Sequence, residues 1–194
     1  MEFIRTEIPD VVICKPKIFG DERGYFFESF RQDIFEEFLG YKVDFCQDNE
    51  SKSSFGVLRG MHYQIPPYSQ SKLVRVIEGR VLDVAVDMRE GSPYFGKSIS
   101  HELTAENKNQ FFIPRGFAHG FVVLSETATF AYKCDNYYQP SHDRGFMYSD
   151  NAIAIDWKLP LNDLLLSEKD KKQPSFEDSK KFDFFKDLYK LELV

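Results

Sequence analysis

The stretch Phe112-Ile-Pro-Arg-Gly-Phe-Ala-His-Gly-Phe121 joins two apolar runs through a Pro-Arg-Gly turn and places a histidine just inside the second run. Upstream, residues 73–77 and 81–88 flank Glu78-Gly79-Arg80, a hairpin signal in which the glycine can adopt a positive φ. Many short strands separated by such turns, with little helix between them, are typical of an antiparallel sandwich or jelly roll. The expected fold class is therefore all-β.

Further strands are predicted along the chain at residues 11–14, 25–30, 110–113, 117–124 and 129–133, and a β-rich section begins at residue 43. One helix is predicted over residues 31–39, because three apolar residues there follow helical spacing and Gly40 ends the pattern. In residues 81–88, Leu82, Val84 and Val86 alternate with Asp83, Ala85 and Asp87. This alternation suits a barrel wall whose two faces have different surroundings.

The last part of the chain differs in composition from the rest. From Asn162 it is rich in lysine and acidic residues, with spaced apolar residues at Phe182, Phe185, Leu188 and Leu191. This pattern predicts a small helical appendage over about residues 162–194 that packs on the barrel. Since no linker or repeat interrupts the chain, residues 1–194 are predicted to form one domain with a few short peripheral helices.

Composition narrows the possible partners. The 194 residues carry a formal charge of -6 and are 16% aromatic. The acidic balance argues against a nucleic-acid groove, although a few local cations could still hold a small anion. The aromatic residues suit a β-rich core, and some of them could line a ligand cavity. The three cysteines have neither metal nor redox spacing, which argues against a zinc site or a disulfide framework.

Targeting signals are not recognisable in the sequence. The first ten residues mix charged and apolar side chains, unlike the core of a signal peptide. No apolar run approaches the ~20 residues that are needed to span a bilayer. The expectation is a soluble, cytoplasmic protein without a membrane partner.

Two glycine-bearing segments each carry a histidine, His62 in residues 56–64 and His119 in residues 112–121. The second segment resembles the Pro-x-Gly-x-x-His pattern of the cupin superfamily, which implies a double-stranded β-helix, or jelly roll. Metal-binding cupins also have a His-x-His pair and a nearby carboxylate. Here Gln64 replaces the second histidine, and residues 65–70 contain no acid. Two imidazoles alone make a poor transition-metal site, so we expect no metal and histidines that are free for acid–base chemistry.

A more specific resemblance covers about residues 20 to 170. The chain resembles the dTDP-4-dehydrorhamnose 3,5-epimerase family of metal-free cupins, and the matching blocks keep the family's order. These blocks are Asp21-Glu-Arg-Gly-Tyr-Phe-Phe-Glu28, Gln47-Asp-Asn-Glu-Ser51, residues 56–64, Gln70-Ser-Lys-Leu-Val74, Asp83-Val-Ala-Val-Asp-Met-Arg89, residues 113–121, Tyr132-Lys133 and Ser167-Glu-Lys-Asp170.

The resemblance implies an isomerase that converts dTDP-4-dehydro-6-deoxy-D-glucose to dTDP-4-dehydro-L-rhamnose, in dTDP-L-rhamnose biosynthesis. The C4 ketone acidifies the protons on C3 and C5, because each carbanion can delocalise into an enolate. Inversion then needs a base on one face of the sugar, an acid on the other and positive charge beside the enolate oxygen. No redox cofactor is needed, and none is expected.

The resemblance also implies roles for individual residues. His62 is the expected base, with Asp170 orienting its ring, and Tyr132 is the expected acid on the opposite face. Lys72 corresponds to the residue beside the C4 oxygen. The implied substrate-binding residues are Arg23, Phe26, Glu28, Gln47, Asn49, Arg59, His119, Tyr138, Asp143 and Lys169. At Asp143 the family often has glutamate, so one nucleotide contact is expected to differ.

Family members are homodimers that share N-terminal strands, so we expect a homodimer in which Arg23 and Phe26 reach the partner's pocket. Three alternatives remain at this stage. The chain could epimerise a related dTDP-4-keto-deoxysugar at only C3 or C5, it could be a metal-dependent cupin oxygenase, or it could bind nucleotide sugars without catalysis. Label incorporation from heavy water, metal content and binding without proton exchange distinguish these alternatives.

Overall fold

The computed structural model describes residues 1–190 of the chain. It contains one α-helix, three 3-10 turns and fifteen strands within that range. The strands are β1 (Glu2–Arg5), β2 (Val12–Lys15), β3 (Phe19–Asp21), β4 (Gly24–Phe26), β5 (Gln47–Ser54), β6 (Leu58–Gln64), β7 (Lys72–Glu78), β8 (Arg80–Asp87), β9 (Arg89–Glu90), β10 (Ser98–Thr104), β11 (Gln110–Ile113), β12 (Phe117–Val123), β13 (Thr127–Cys134), β14 (Asp143–Gly145) and β15 (Phe182–Asp183). The helix is α1 (Gln32–Leu39), and the 3-10 turns are Pro140–His142, Leu161–Asp163 and Asp170–Lys172.

Two antiparallel sheets form the body of the molecule. The larger has six strands in the order β1-β2-β11-β7-β13-β5, and the smaller has five in the order β10-β8-β12-β6-β14. Most neighbours in each sheet are distant in sequence, which is the crossing connectivity of a jelly roll. The all-β prediction and the jelly-roll architecture are confirmed.

Strand β8 is buried on both faces. Leu82, Val84 and Val86 pack under the chain segment that covers the outer face of the five-stranded sheet, together with Trp157. Ala85 points the other way, into the core between the two sheets. The two faces of β8 thus have different surroundings, as predicted. Both are buried, however, because protein layers cover the strand on each side.

Helix α1 covers part of the outer face of the six-stranded sheet. It begins one residue later than predicted and ends where Gly40 adopts φ 83°, with its N–H donating to Glu36 O at 2.8 Å. Phe35 and Leu39 are buried, and the Phe35 ring meets Phe112 edge-on at a centroid distance of 5.1 Å. The apolar stripe of the helix thus faces the sheet, as its sequence spacing indicated.

The predicted helical appendage over residues 162–194 is wrong as far as the structure describes it. Residues 162–190 form 3-10 turns and the short strand β15, which pairs in parallel with β9. Phe182 and Leu188 are buried, but Phe185 is 83% exposed, so the spaced apolar residues do not share one helical face. Pro174 also removes a backbone donor inside the segment. Leu191 lies outside the described residues.

Two strand predictions also need correction. The strand expected at residues 25–30 ends at Phe26, because β4 pairs only with the short β3. The section expected to begin as strand at residue 43 does so only at Gln47, since residues 43–46 cross from α1 to the sheet edge.

Candidate active site

A cavity of about 540 Å³ opens between the two sheets. This volume suits a small-molecule ligand rather than a macromolecule. Strands β6 and β12 of one sheet and β7 and β13 of the other supply most of its polar side chains, and residues 165–170 close one side. Of the predicted site residues, the cavity brings together His62, Lys72, His119, Tyr132, Arg59, Lys169 and Asp170.

His62, on β6, is held by a buried carboxylate. Its Nε2 lies 2.5 Å from Oδ1 of Asp170, whose side chain is 4% exposed. Ser167 Oγ donates to the other carboxylate oxygen at 2.8 Å and accepts the Asp170 N–H at 3.1 Å. Burial alone would raise the pKa of Asp170, but the hydrogen bonds from His62 and Ser167 hold it below its usual value. The carboxylate is thus ionised, and Nδ1 is left as the free ring nitrogen of His62.

His119, on β12, is paired with a carboxylate that the sequence reading did not select. Both oxygens of Asp83, on β8, lie 3.0 Å from His119 Nε2, and neither residue is appreciably exposed. Burial lowers the pKa of His119 because water cannot solvate the imidazolium. Burial therefore favours the neutral imidazole at His119, and Asp83 holds the ring by its Nε2 edge. His62 and His119 are direct partners in the β6–β12 register, so the two rings belong to one wall.

Tyr132 and Lys72 form the facing wall, on β13 and β7 of the six-stranded sheet. The Lys72 ammonium lies 5.9 Å from the centroid of the Tyr132 ring. Burial raises the pKa of Tyr132 and lowers the pKa of Lys72, since each charged form is poorly solvated there. The phenol thus stays protonated at neutral pH. His62 and Tyr132 consequently face the cavity from opposite sheets.

Arg59 and Lys169 add positive charge to the cavity. Nε and Nη2 of Arg59 each lie 3.2 Å from Ser53 Oγ, which leaves Nη1 free of that contact. Lys169 forms an ion pair with Asp143, whose side chain is 11% exposed. With Lys72, these cations give an acidic protein a local site for an anionic ligand.

A second cavity of about 300 Å³ adjoins the first and shares His62, Lys72 and Tyr132 with it. Four of its other lining residues carry amide, phenol or carboxylate groups that hydrogen-bond to one another. Tyr138 OH donates to Asp143 at 2.9 Å, Gln47 accepts the Tyr138 N–H at 3.0 Å, and Gln47 donates to Asn49 at 2.9 Å. Gln47, Asn49, Tyr138 and Asp143 are therefore brought together as a polar extension of the site.

Three predicted residues are not brought to this site within one chain. Arg23 and Phe26 lie on the β3–β4 hairpin, and Glu28 follows it. Arg23 bonds to Asp21 at the hairpin turn, and Phe26 is 70% exposed. None of these three side chains lines either of the two cavities described above.

The sequence reading missed two residues that hold others in place, Asp83 and Ser167. Asp83 lay in a strand of alternating acids, but its pairing with His119 depends on the β8–β12 register. Ser167 had a readable signal, because Ser167-x-x-Asp170 is the spacing of a capping box. It also missed Phe121 and Phe130, whose rings stack at 4.1 Å in the cavity wall.

Residues 1–190 contain no group of three or more His, Cys, Asp or Glu side chains that could hold a metal ion. In the same range, no helix has the length and apolar character to cross a membrane.

Comparison with known proteins gives consistent results. Residues 5–178 match the family model described as dTDP-4-dehydrorhamnose 3,5-epimerase. The chain is 56% identical to the dTDP-4-dehydrorhamnose 3,5-epimerase of Shigella flexneri, over 94% of this chain and 99% of that protein. The crystal structure of the Elizabethkingia anophelis enzyme superposes with a TM-score of 0.89 at 54% identity, covering 92% and 97% of the two chains. The Legionella pneumophila enzyme, crystallised in complex with dTDP-4-keto-L-rhamnose, gives 0.88 at 50% identity, covering 91% and 93%.

Proposed function

The chain belongs to the dTDP-4-dehydrorhamnose 3,5-epimerase family and is an isomerase of dTDP-L-rhamnose biosynthesis, and we propose that His62 and Tyr132 are its catalytic base and acid. The observation that carries this assignment is their placement on opposite walls of one cavity. A sugar ring bound between the sheets would meet the imidazole on one face and the phenol on the other. Inversion at carbon requires this two-sided arrangement.

The proposed reaction begins at His62 Nδ1, which takes the proton from C3 or C5. The C–H electron pair moves into the C4 carbonyl and forms an enolate, whose oxygen the Lys72 ammonium stabilises. The Tyr132 hydroxyl then delivers its proton to the opposite face of the same carbon, and the enolate collapses back to the ketone. Proton exchange with water restores neutral His62 and the phenol. The same two proton transfers then take place at the second carbon. No hydride is transferred, and the sugar is neither oxidised nor reduced overall.

Asp170 acts through His62 in this scheme. Its ionised carboxylate holds the Nε2 proton, fixes the tautomer that leaves Nδ1 free and stabilises the imidazolium once it forms. His119 is neutral and cannot supply charge, so we assign it a hydrogen-bonding contact to the sugar. The hydrogen atoms all travel as protons, so the scheme requires no redox cofactor.

We assign the polar extension of the cavity to the nucleotide. Arg59 and Lys169 would neutralise the diphosphate, and Tyr138 would stack on the thymine. Gln47 and Asn49 lie on one face of β5 and offer amide groups to the base or deoxyribose. The short Asp143 is already shared between Tyr138 and Lys169, so its part is to place those two side chains.

The remaining proposals concern the assembly. Exposed aromatic residues on the β3–β4 hairpin support a homodimer in which Arg23, Phe26 and Glu28 complete the partner's site. The acidic net charge supports a protein without a nucleic-acid partner, and we place the enzyme in the cytoplasm with its nucleotide-sugar substrate.

A labelling experiment in heavy water tests the catalytic assignment. With dTDP-4-dehydro-6-deoxy-D-glucose, the wild-type protein should place deuterium at both C3 and C5. His62→Ala should abolish label at both carbons while thymidine diphosphate still binds, because the nucleotide contacts are elsewhere. His142→Ala is the matched control, since that ring lies outside both cavities and packs on Tyr68. Unchanged labelling by His62→Ala would refute the assignment of the base.

A further inference from the structure

The C-terminal clasp, residues 182–190, lies beyond residues 5–178 that match the family model. It carries none of the residues that the reaction uses. The clasp begins at β15, and its apolar residues Phe182 and Leu188 are buried against the outer face of the five-stranded sheet. It then brings Tyr189 to the turn between β11 and β12 and to the residue that precedes β7. The clasp therefore connects a distal segment to strands that build the cavity.

Tyr189 is the centre of this contact. Its hydroxyl group lies 2.7 Å from Ser71 Oγ and accepts the Arg115 N–H at 3.3 Å. The Arg115 guanidinium packs over the Tyr189 ring at 5.0 Å and donates to Leu188 O at 2.8 Å. The ring of Tyr41, beyond α1, lies 4.8 Å from the Tyr189 ring. The phenol thus has polar partners just before β7 and in the turn between β11 and β12, and the Tyr41 side chain both hydrogen-bonds to it and packs beside its ring.

Asp135 closes the network from the end of β13. Its Oδ1 accepts the Ser71 N–H at 2.5 Å, and its Oδ2 accepts Arg115 Nε at 3.0 Å. The Arg115–Asp135 pair is almost fully buried, and the Ser71 side chain is inaccessible to water. Buried pairs whose hydrogen bonds are all made are rigid, since breaking one leaves an unpaired polar group. Ser71 is consequently held twice, by Asp135 at its backbone and by Tyr189 at its side chain.

Lys72 directly follows Ser71 and lines the cavity. Within residues 1–190, its ammonium makes no hydrogen bond or ion pair with another side chain, and its aromatic neighbour is Tyr132. The position of the ammonium therefore depends on the position of the Lys72 backbone, at the first residue of β7. Ser71, the preceding residue, holds that backbone in place.

We propose that the clasp positions Lys72: Tyr189, through Ser71, holds the start of β7 so that the ammonium stands where the enolate oxygen forms. Tyr189 is a positioning residue in this account and touches no reacting atom. The inference rests on the role proposed above for Lys72. By this inference, a segment outside the family's matched region contributes to the rate of the proton transfers.

Tyr189→Phe tests this proposal, because it keeps the ring against Tyr41 and Arg115 and removes only the hydroxyl group. We expect kcat to fall about three- to tenfold, the factor that corresponds to one hydrogen bond, with KM and thymidine diphosphate binding unchanged. Tyr94→Phe is the matched control. It removes the hydroxyl group of a partly buried tyrosine that lines neither cavity and packs beside Lys97, so its kcat should stay at the wild-type value.

A double-mutant cycle with Lys72→Met separates positioning from general loosening of the fold. If Tyr189 acts through Lys72, Tyr189→Phe should cause no further loss of deuterium wash-in when the lysine is already absent. An equal loss in both backgrounds would overturn the proposal, and so would a wild-type kcat for Tyr189→Phe. Should Lys72→Met itself retain the wild-type rate, the role proposed for Lys72 fails and the inference falls with it. A slow Lys72→Met beside an unaffected Tyr189→Phe refutes the clasp alone.

Discussion

The two histidines of the cavity differ in their access to water. The His62 side chain is 26% exposed, whereas that of His119 is 8% exposed and its partner Asp83 is fully buried. A base must release its proton to solvent after each turnover, and His62 has a path for doing so. His119 is enclosed and neutral, which suits a fixed hydrogen bond. We therefore expect the two similar His–Asp pairs to perform different tasks, because their surroundings differ.

Replacing Asp170 tests how much the carboxylate contributes. Asp170→Asn keeps the shape of the side chain but removes the charge that stabilises the His62 imidazolium and fixes its tautomer. We expect kcat to fall by about 10²–10⁴-fold with little change in nucleotide binding. Ser167→Ala is the milder companion, since the carboxylate stays ionised and loses one hydrogen bond. Steady-state kinetics on both variants would contradict this account if Ser167→Ala were the more damaging change.

The alkaline limb of the pH profile of kcat should report the deprotonation of the Lys72 ammonium. Burial lowers the pKa of Lys72 and raises the pKa of Tyr132, so burial shifts the loss of the lysine proton to lower pH and that of the phenol proton to higher pH. Nearby acidic groups, Asp143 and Asp83, oppose the lowering, and Lys169 adds to it. Because the enolate needs the ammonium, kcat should fall at a pH below the usual lysine value of about 10.4.

Lys72→Arg provides the check on this assignment. A guanidinium stays charged above pH ~12, so the alkaline limb of kcat should move to higher pH even if the maximal rate is lower. A limb that stays in place would mean that another group titrates there.

Among individual residues, His62, Tyr132, Lys72 and Asp170 could be predicted from sequence to share a site because a family resemblance names them, and all four line one cavity. Asp83 could not, since nothing in its local sequence indicates which side chain it will meet. Its contact with His119 depends on the alignment of β8 and β12 within the sheet, which is a tertiary property.

Strands β6 and β12 approach each other unusually closely at two glycines. Gly60 has φ 142°, and a Cβ placed there would lie 2.6 Å from Gly120 Cα and 3.1 Å from His119 O. The same contact sets the distance between the strands that carry His62 and His119. Glycine at this position is thus required both by the backbone conformation and by the neighbouring strand.

Gly60→Ala should therefore destabilise the protein by about 2–5 kcal/mol and also reduce activity, because β6 and β12 must separate to admit the methyl group. Gly40→Ala is the control. It also imposes a left-handed conformation on alanine, but its Cβ would have open space, so a loss of about 1 kcal/mol without loss of kcat is expected. Thermal unfolding and kcat would measure both effects, and equal losses at the two sites would contradict the steric explanation.

Some secondary-structure elements could be predicted from their local sequence, and others could not. The helix α1 and the β7–β8 hairpin follow from periodicity and a glycine, and both lie close to their predicted positions. The C-terminal segment does not follow from periodicity, because its apolar residues contact strands and turns that are distant in sequence. Phe182 lies beside β9, and Leu188 lies beside the turn that contains Arg115. Periodicity within a segment carries no signal for such contacts.

At the scale of the whole molecule, the β3–β4 hairpin exposes aromatic side chains that no other part of residues 1–190 covers. Phe19, Tyr25 and Phe26 are 53%, 62% and 70% exposed, a concentration of aromatic surface that is costly for a monomer in water. We therefore expect a homodimer in solution by sedimentation or light scattering. A monomer at micromolar concentration would contradict the proposed assembly.

Complementation can show whether the hairpin serves the partner's site. Arg23→Ala and His62→Ala should each be impaired alone. In a mixed dimer, however, one of the two sites combines the intact His62 of one subunit with the intact Arg23 of the other. Mixing the variants in equal amounts and allowing subunit exchange should therefore raise activity above the mean of the two parents, which is the value expected if Arg23 serves only its own chain. No gain, despite demonstrated exchange, would mean that Arg23 acts within its own chain or not at all.

The placement of His62 and Tyr132 on facing walls has a consequence for metabolic direction. In the proposed reaction, microscopic reversibility requires the same two groups to catalyse the return path with their roles exchanged, Tyr132 as base and His62 as acid. The cavity therefore accelerates both directions by the same factor and leaves the ratio of the two keto sugars at equilibrium unchanged. Net flux toward the L-sugar depends on a later step that removes the product, and in its absence the enzyme would scramble label in both sugars.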